Sequence, residues 1–383
     1  MRVPFFQPSV GPREIEAAME VLQSGWLTTG PKCREFEEKF AEFLGGGVET
    51  IAVNSATAGL HLAGEACGIG PGDAVLVPTL TFSASAAAFR HLGADIILVD
   101  VDPASQTIDL EDAQRRCTPS CKAIVPVHFG GWPCDMRAIA AFAKKNSLKV
   151  IEDAAHALPS GRNGVLVGAS DSDACVFSFY ANKTITTGEG GMIATRNVEL
   201  ATRARVMRTH GLNRDAFDRF RRIGASWSYD IVAAGFKYNM PDFAAAIGIA
   251  QLERVHEFQA ARQAVAELYL RRLRSLPIEC PIPAPEGGLH AWHLFPVRIR
   301  PEAPIGRDEV IELLTARGIG SSVHYRPLHQ MTYWLKDERI ALSAFPEADR
   351  YFERALSLPL YPDMREADVD EVVSVLQEAL DPR

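Results

Sequence analysis

The 383-residue sequence has no window approaching the roughly 18 uninterrupted apolar residues that a membrane span requires. Its opening words, MRVPFFQPSVGPREIE, carry no apolar core of the kind a secretion signal shows, so a cytoplasmic protein is expected. Basic residues do not gather either. The 40 Lys and Arg stand against 48 Asp and Glu, for a net charge of −8 and an isoelectric point near 5.7, which argues against a nucleic-acid binder. One arginine-rich patch, Arg203 to Arg222, has acidic residues inside it and reads as a loop or helix face that could meet anions. The seven cysteines are scattered and odd in number, with Cys117 and Cys121 the only close pair. No second pair completes a zinc site, so reduced thiols and no metal are expected. Internal repeats and low-complexity segments are absent as well, and the triple glycine at 45–47 marks only a loop.

What is present is the composition of an ordinary soluble protein, 47% hydrophobic and 23% charged, and a chain too long for one small core. Past the triple glycine, short apolar runs alternate with helical ones. TIAVNS, GDAVLVP, ADIILVDVD, KAIVPVHFG and LKVIED read as strands, and ATAGLHLAGEACGI, SASAAAFRHLG and DMRAIAAFAKKNS as helices. The strands are bounded by Gly, Pro and Asp, as in a sheet buried on both faces. Their order predicts an α/β fold with a mostly parallel sheet between layers of helices. After Met240 the texture changes. PDFAAAIGIAQLERVHEFQAARQAVAELYLRRLRSL reads as one long helical stretch. HAWHLFPVRI, RDEVIELLTARGI and GSSVHYRP then read as strand, helix and strand of a smaller α+β unit. The expected division is a large domain with an N-terminal arm over 1–250 and a small C-terminal domain over 251–383, bridged by the long helix.

Ligands of open α/β sheets bind beyond the carboxyl ends of the strands, and three such ends are chemically unusual. IAVNSATAGLHLA passes from strand to helix through Asn54, Ser55, Ala56 and Thr57. Free N–H groups, the helix dipole and the Thr57 hydroxyl make that junction a phosphate seat; taken alone, Asn54 or Ser55 is a plain helix cap. KVIEDAAHAL sets Glu152 and Asp153 at the tip of an apolar strand, with His156 three residues on. A carboxylate there is costly without a cationic partner, although Asp153 reads equally well as the cap of the next turn. CVFSFYANKTITTGEGGMIAT carries Ser178 on a strand and a single lysine, Lys183, beyond it, followed by Gly188, Gly190 and Gly191. A lone loop lysine is commonly solvated. Together and in this order, the three ends fit pyridoxal 5′-phosphate (PLP): phosphate at a helix N-terminus, an aspartate keeping the pyridine nitrogen protonated, and a lysine forming the Schiff base. Phe82, in PTLTFSAS at another strand end, is either an aromatic that stacks on the ring or simple core packing.

The ordered words SGWLTTGP, NSATAGLHLA, GIGPGDAVLVPTLTFSASAAA, KAIVPVHFGG, VIEDAAHA, FSFYANKTITTGEGGM, RTHG, GFKYNMPDFAAAIGIAQLERV and SSVHYRPLH resemble the DegT-type nucleotide-sugar aminotransferases, over nearly the full length. They look most like the sugar 4-aminotransferases. The resemblance implies a PLP enzyme of the aspartate-aminotransferase fold (fold type I), active as a homodimer with shared sites. It implies that Lys183 is the Schiff-base lysine, that Asp153 pairs with the pyridine nitrogen, and that Ala56, Thr57 and Ser178 hold the phosphate. Phe82 would cover one ring face, and His156 would contact the ring or its phenolic oxygen. Asn239, in KYNMPD, would reach the phosphate from the neighbouring subunit. His324, Tyr325, Thr28 and Thr29 would lie toward the sugar nucleotide, with Arg208, Arg221 and Arg222 as loose matches for its diphosphate. The implied reaction is a ping-pong transamination from L-glutamate to a nucleotide-linked keto sugar, 4-keto rather than 3-keto. Two rivals are a sugar dehydratase, in which histidine replaces the lysine, and a non-catalytic regulator on the same fold. Lys183 argues against the first, and the absence of a basic arm against the second.

Overall fold

The computed structural model describes residues 1–213 and 229–381. Nine strands lie in its first half: β1 (Glu49–Val53), β2 (Ala74–Pro78), β3 (Asp95–Val99), β4 (Cys121–Ile124), β5 (Lys149–Asp153), the short hairpin β6 (Gly161–Arg162) and β7 (Val165–Leu166), β8 (Ala174–Ser178) and β9 (Gly191–Thr195). All but the hairpin join one sheet in the order β1-β9-β8-β5-β4-β2-β3. Only β9 runs against its neighbours, so the other six strands point one way and open at a common carboxyl edge.

Burial on both faces follows from the side-chain alternation of extended chain. Ile51, Val53, Val176 and Ile193 enter one core with Leu60 and Ala63 of α3 (Ala56–Ala66), Phe89 of α4 (Ala84–His91) and Ala204 of α7 (Val198–Met207). Their neighbours Ala52, Cys175, Phe177 and Met192 face the opposite core, with Phe36 and Phe40 of α2 (Pro31–Phe43). Further along that face, Leu76, Ile124 and Val150 meet Ala113 of α5 (Leu110–Arg116) and Phe142 of α6 (Met136–Asn146). A second core surrounds a three-stranded antiparallel sheet of β10 (Ile278–Glu279), β11 (Phe295–Ile299) and β12 (Ala355–Leu358). Leu328, Trp334 and Phe345, although late in the chain, pack into the core of the large sheet.

Two local expectations are corrected. The long helical stretch after Met240 is two helices, α8 (Asp242–Glu253) and α9 (Val255–Arg272), broken at Arg254, whose φ of −104° and ψ of 3° leave the helical region. Each half has its own partner: Ala245 and Ile249 bury beside α2, whereas Val265 and Tyr269 join the second core. At the break the Arg254 guanidinium bonds Glu14 and Glu257. GSSVHYRP is also not a strand. Ser322 alone bridges Ser357, and the next residues turn away toward the carboxyl edge of the large sheet.

The open edge of β1 is closed by charge. Glu37 accepts the Ala52 N–H at 2.8 Å, Arg208 donates to the Ala52 carbonyl at 2.8 Å, and the two side chains pair with each other. An unpaired strand edge is a liability, and this buried pair satisfies it from within the fold. Breaking a buried ion pair by removing one partner costs about 3–5 kcal/mol. Glu37→Ala is therefore expected to lower the urea-unfolding free energy by about that amount, and a loss under about 1 kcal/mol would show that the clamp contributes little.

Candidate active site

Because six strands share a direction, the loops after β1, β2, β5 and β8 all leave the sheet at one edge. These loops carry Ser55 to Thr57, Phe82, Asp153 to His156, and Ser178 to Lys183. The predicted set is thus brought to one side of the molecule by topology before any side chain is considered.

Lys183 follows a turn closed by its own N–H on the Tyr180 carbonyl at 2.9 Å. Its amine is buried, with the His293 Nε2 3.4 Å away. Loss of water around the charged form pushes Lys183 down to about 8; Asp153 pulls it up and Arg262 pushes it further down. His156 is held well below the ordinary histidine range by burial, with Lys183 and His324 adding to the effect, so its ring is neutral. His324 is lowered to about 4, chiefly by burial and then by Lys183. The Gly130 N–H points at His156 Nδ1 at 3.3 Å, which leaves the ring proton on Nε2, 3.1 Å from the Tyr325 hydroxyl. Phe82 is 61% exposed, and its ring centre lies 6.0 Å from that of Tyr325. It is not spent on core packing.

Neighbouring carboxylates are used in opposite ways. Glu152 faces away from Lys183 and is consumed by His128 Nε2 at 2.9 Å and by the hydroxyls of Ser170 and Ser172. The Cys134 N–H donates to His128 Nδ1, so His128 is neutral and gives its only ring proton to Glu152. Asp153 accepts from Ser85 Oγ at 2.6 Å and from the Ala155 N–H at 3.0 Å. Among the described residues it is buried with no arginine, lysine or histidine in ion-pair contact. A buried carboxylate needs a cation, and a protonated pyridine nitrogen supplies one. Ser55 caps α3 by accepting the Ala58 N–H, which leaves the N–H groups of Ala56 and Thr57 for another acceptor. Gly191 passes so close that a Cβ there would lie 2.8 Å from the Ala56 nitrogen. The residues present therefore fit pyridoxal phosphate.

Other predicted residues sit at the margins. Asn239 bridges Val53 beside the α3 N-terminus of its own chain, and its Nδ2 donates to Thr29 Oγ1 at 2.7 Å. Thr29 is buried and donates to the Met240 carbonyl, while Thr28 is exposed. His324 Nδ1 lies 2.9 Å from Ser357 Oγ, and its ring stacks on Phe5. Arg208 is engaged by Glu37 and Ala52 rather than brought to this edge, and Arg221 and Arg222 lie outside the described residues. A separate cavity of about 440 Å³, lined by Pro133, Arg162, Ser170 and Arg196 among others, contains none of the predicted residues. Sequence reasoning missed Ser85, which holds Asp153, and His293, which meets Lys183. PTLTFSAS and HAWHLFPVRI read locally only as aromatic and strand-forming words. Two histidines three residues apart around a tryptophan were the signal.

The family model described as the DegT/DnrJ/EryC1/StrS aminotransferase family matches residues 8–377. The spore coat polysaccharide biosynthesis protein SpsC of Bacillus subtilis is 42% identical over 378 residues, 98% of this chain and 96% of that protein. Spr1654 of Streptococcus pneumoniae in its PMP form superimposes with a TM-score of 0.91 at 30% identity, covering 98% of each chain. The sugar aminotransferase CalS13 of Micromonospora echinospora gives a TM-score of 0.87 at 29% identity, covering 98% of this chain and 99% of that one.

Burial of Lys183 yields a direct expectation. Acetylation of the cofactor-free full chain, followed peptide by peptide in mass spectrometry, should become half-maximal for Lys183 near pH 8. A midpoint near the ordinary value of 10.5 would contradict a desolvated amine.

Proposed function

The chain belongs to the DegT/DnrJ/EryC1/StrS aminotransferase family, and from that premise we propose that it moves an amino group from L-glutamate to a nucleotide-linked 4-keto sugar. The observation that carries this reading is Lys183, a buried amine near pH 8 at an edge shared with a buried, cation-seeking Asp153. Bound PLP supplies a carbonyl that can hold nitrogen and a ring that accepts electrons.

The chain's residues divide the remaining work. Ala56 and Thr57 N–H groups and the Ser178 hydroxyl bind the phosphate, with Asn239 reaching it from a neighbouring subunit. Asp153 keeps a proton on the pyridine nitrogen, and Ser85 keeps Asp153 in place. Phe82 covers a ring face and excludes water from it. His156, neutral and with its proton on Nε2, contacts the ring or its phenolic oxygen. Lys183, as free base, removes the proton from the α-carbon of the amino donor and later returns one at the sugar carbon. His324, Tyr325 and Thr28 would lie toward the sugar nucleotide, with Thr29, buried and bonded to the Met240 carbonyl, behind them.

A homodimer with shared sites is supported by α1 (Pro12–Ser24), whose Ile15, Met19 and Leu22 form one exposed apolar face. Seven free thiols are consistent with a cytoplasmic setting. The position of the ketone rests on the words SGWLTTGP and NKTITTGEGGM, and a 3-keto sugar is the alternative acceptor.

The absorption spectrum of the PLP-loaded protein should lose its PLP band and gain that of the amine form when L-glutamate is added. Lys183→Ala should slow this change by at least about 100-fold. No change in the unaltered protein with any common amino donor would sink the proposal. After conversion, return of the PLP band with a 3-keto but not a 4-keto nucleotide sugar would overturn the regiochemistry alone.

A further inference from the structure

We propose that His293 is a further catalytic residue, one whose imidazole N–H can hold the lone pair of the Lys183 amine and so favours the free-base form of this lysine when it is not joined to the cofactor. The inference rests on the reading of Lys183 given above.

His293 is buried, in the irregular stretch just before β11. Its Nε2 faces the Lys183 Nζ at 3.4 Å, and its Nδ1 is buried with no hydrogen-bond partner among the described residues. A neutral imidazole has one N–H and one bare nitrogen, so two arrangements are available. A proton on Nδ1 would bury an N–H with no acceptor. A proton on Nε2 leaves only a bare lone pair unfilled at Nδ1. Orphaned buried N–H groups are the rarer of the two. The proton therefore sits on Nε2 and points at Lys183. An ammonium group has three donors and no acceptor, so this contact is a hydrogen bond only when Nζ is uncharged.

The surroundings reinforce the same state. The groups acting on His293 are Lys183, His156, Arg262 and His324, none of them a carboxylate, and burial already holds the ring far below the ordinary histidine range. A doubly protonated ring is thereby excluded at neutral pH. The His156 ring lies 4.4 Å away, centre to centre. Arg262 is the positioning residue behind it. Its guanidinium is buried and donates through Nη1 to the carbonyls of Trp292 at 3.3 Å and Leu360 at 3.1 Å. The Trp292 carbonyl immediately precedes His293, so Arg262 fixes the segment that aims the ring. Its charge also opposes a second cation on Lys183. Asp153 pulls the other way. Burial first, then Arg262, act against the one carboxylate that favours the ammonium, and the His293 N–H adds to them by holding the uncharged amine, the form able to remove a proton from the donor.

The test compares the unaltered full chain with His293→Gln and His293→Leu. Gln can place an amide N–H about where Nε2 stands, and Leu cannot. In the cofactor-free chain, His293→Leu should raise the pH midpoint of Lys183 acetylation by about one unit, while His293→Gln stays near the unaltered value. In the loaded enzyme, His293→Leu should lower kcat about tenfold or more with little change in KM for the amino donor. Equal midpoints for all three chains would overturn the proposal. Should the leucine variant fail to fold, nitrogen-15 histidine spectra of the unaltered chain decide alone. A proton on Nε2 of His293 supports the proposal, and one on Nδ1 overturns it. These readouts separate the two readings. If the tautomer and midpoints are as expected but glutamate leaves the PLP band unchanged, the transamination fails and the hold on Lys183 stands. If glutamate converts the band but the midpoints are equal, the reverse holds.

Discussion

The constraint on which the site depends is the burial of two ionisable groups of opposite sign, Lys183 and Asp153, without a direct ion pair in the chain to satisfy either. The lysine amine is largely withdrawn from water, which lowers its proton affinity. The aspartate is stripped of water too, but it retains only a serine hydroxyl and one backbone N–H. Such a pair is costly to fold around. It persists because the large sheet gathers the loops that carry both groups at one edge, with rigid strands behind them. On the proposed reading, a protonated pyridine nitrogen would relieve the carboxylate, and covalent attachment would remove the amine from the problem. The cost in the fold would then favour holding the cofactor.

The surrounding structure keeps other charges from answering first. Glu152 precedes Asp153 in the same strand, and extended-chain alternation turns it to the opposite face. There His128 and two serines occupy it fully. Arg208 is engaged in closing β1 against Glu37. The histidines around Lys183 are all held neutral by burial. On the proposed reading, one carboxylate is left for the ring nitrogen and one amine for the carbonyl, so that adjacent residues of the same type would acquire different roles from their environments alone.

Much of this was legible in the sequence because the informative groups sit at strand ends, where a short apolar run stops and the chemistry begins within three or four residues. Asp153 in VIEDAAHA and Lys183 in FSFYANK are local signals of that kind. His293 was not legible. It lies more than a hundred residues from Lys183 in sequence, and the aromatic stretch around it has the composition of a strand. Only the fold brings the two together. The break at Arg254 was hidden for a related reason: helical periodicity runs on through it, and what ends α8 is a change of packing partner. GSSVHYRP likewise has strand composition, but the sheet offers it only the Ser357 bridge. Local propensity reads the elements, and long-range packing decides where they stop and which side chains meet.

The measurement that bears most directly on this account is the identity of the amine that joins the cofactor. The PLP-loaded chain is treated with borohydride to fix the linkage, digested, and mapped by mass spectrometry. The account predicts the cofactor's mass on the peptide containing Lys183 and on no other lysine. Recovery of the modification on a different lysine, or an unmodified Lys183 in a protein that retains the cofactor, would contradict it.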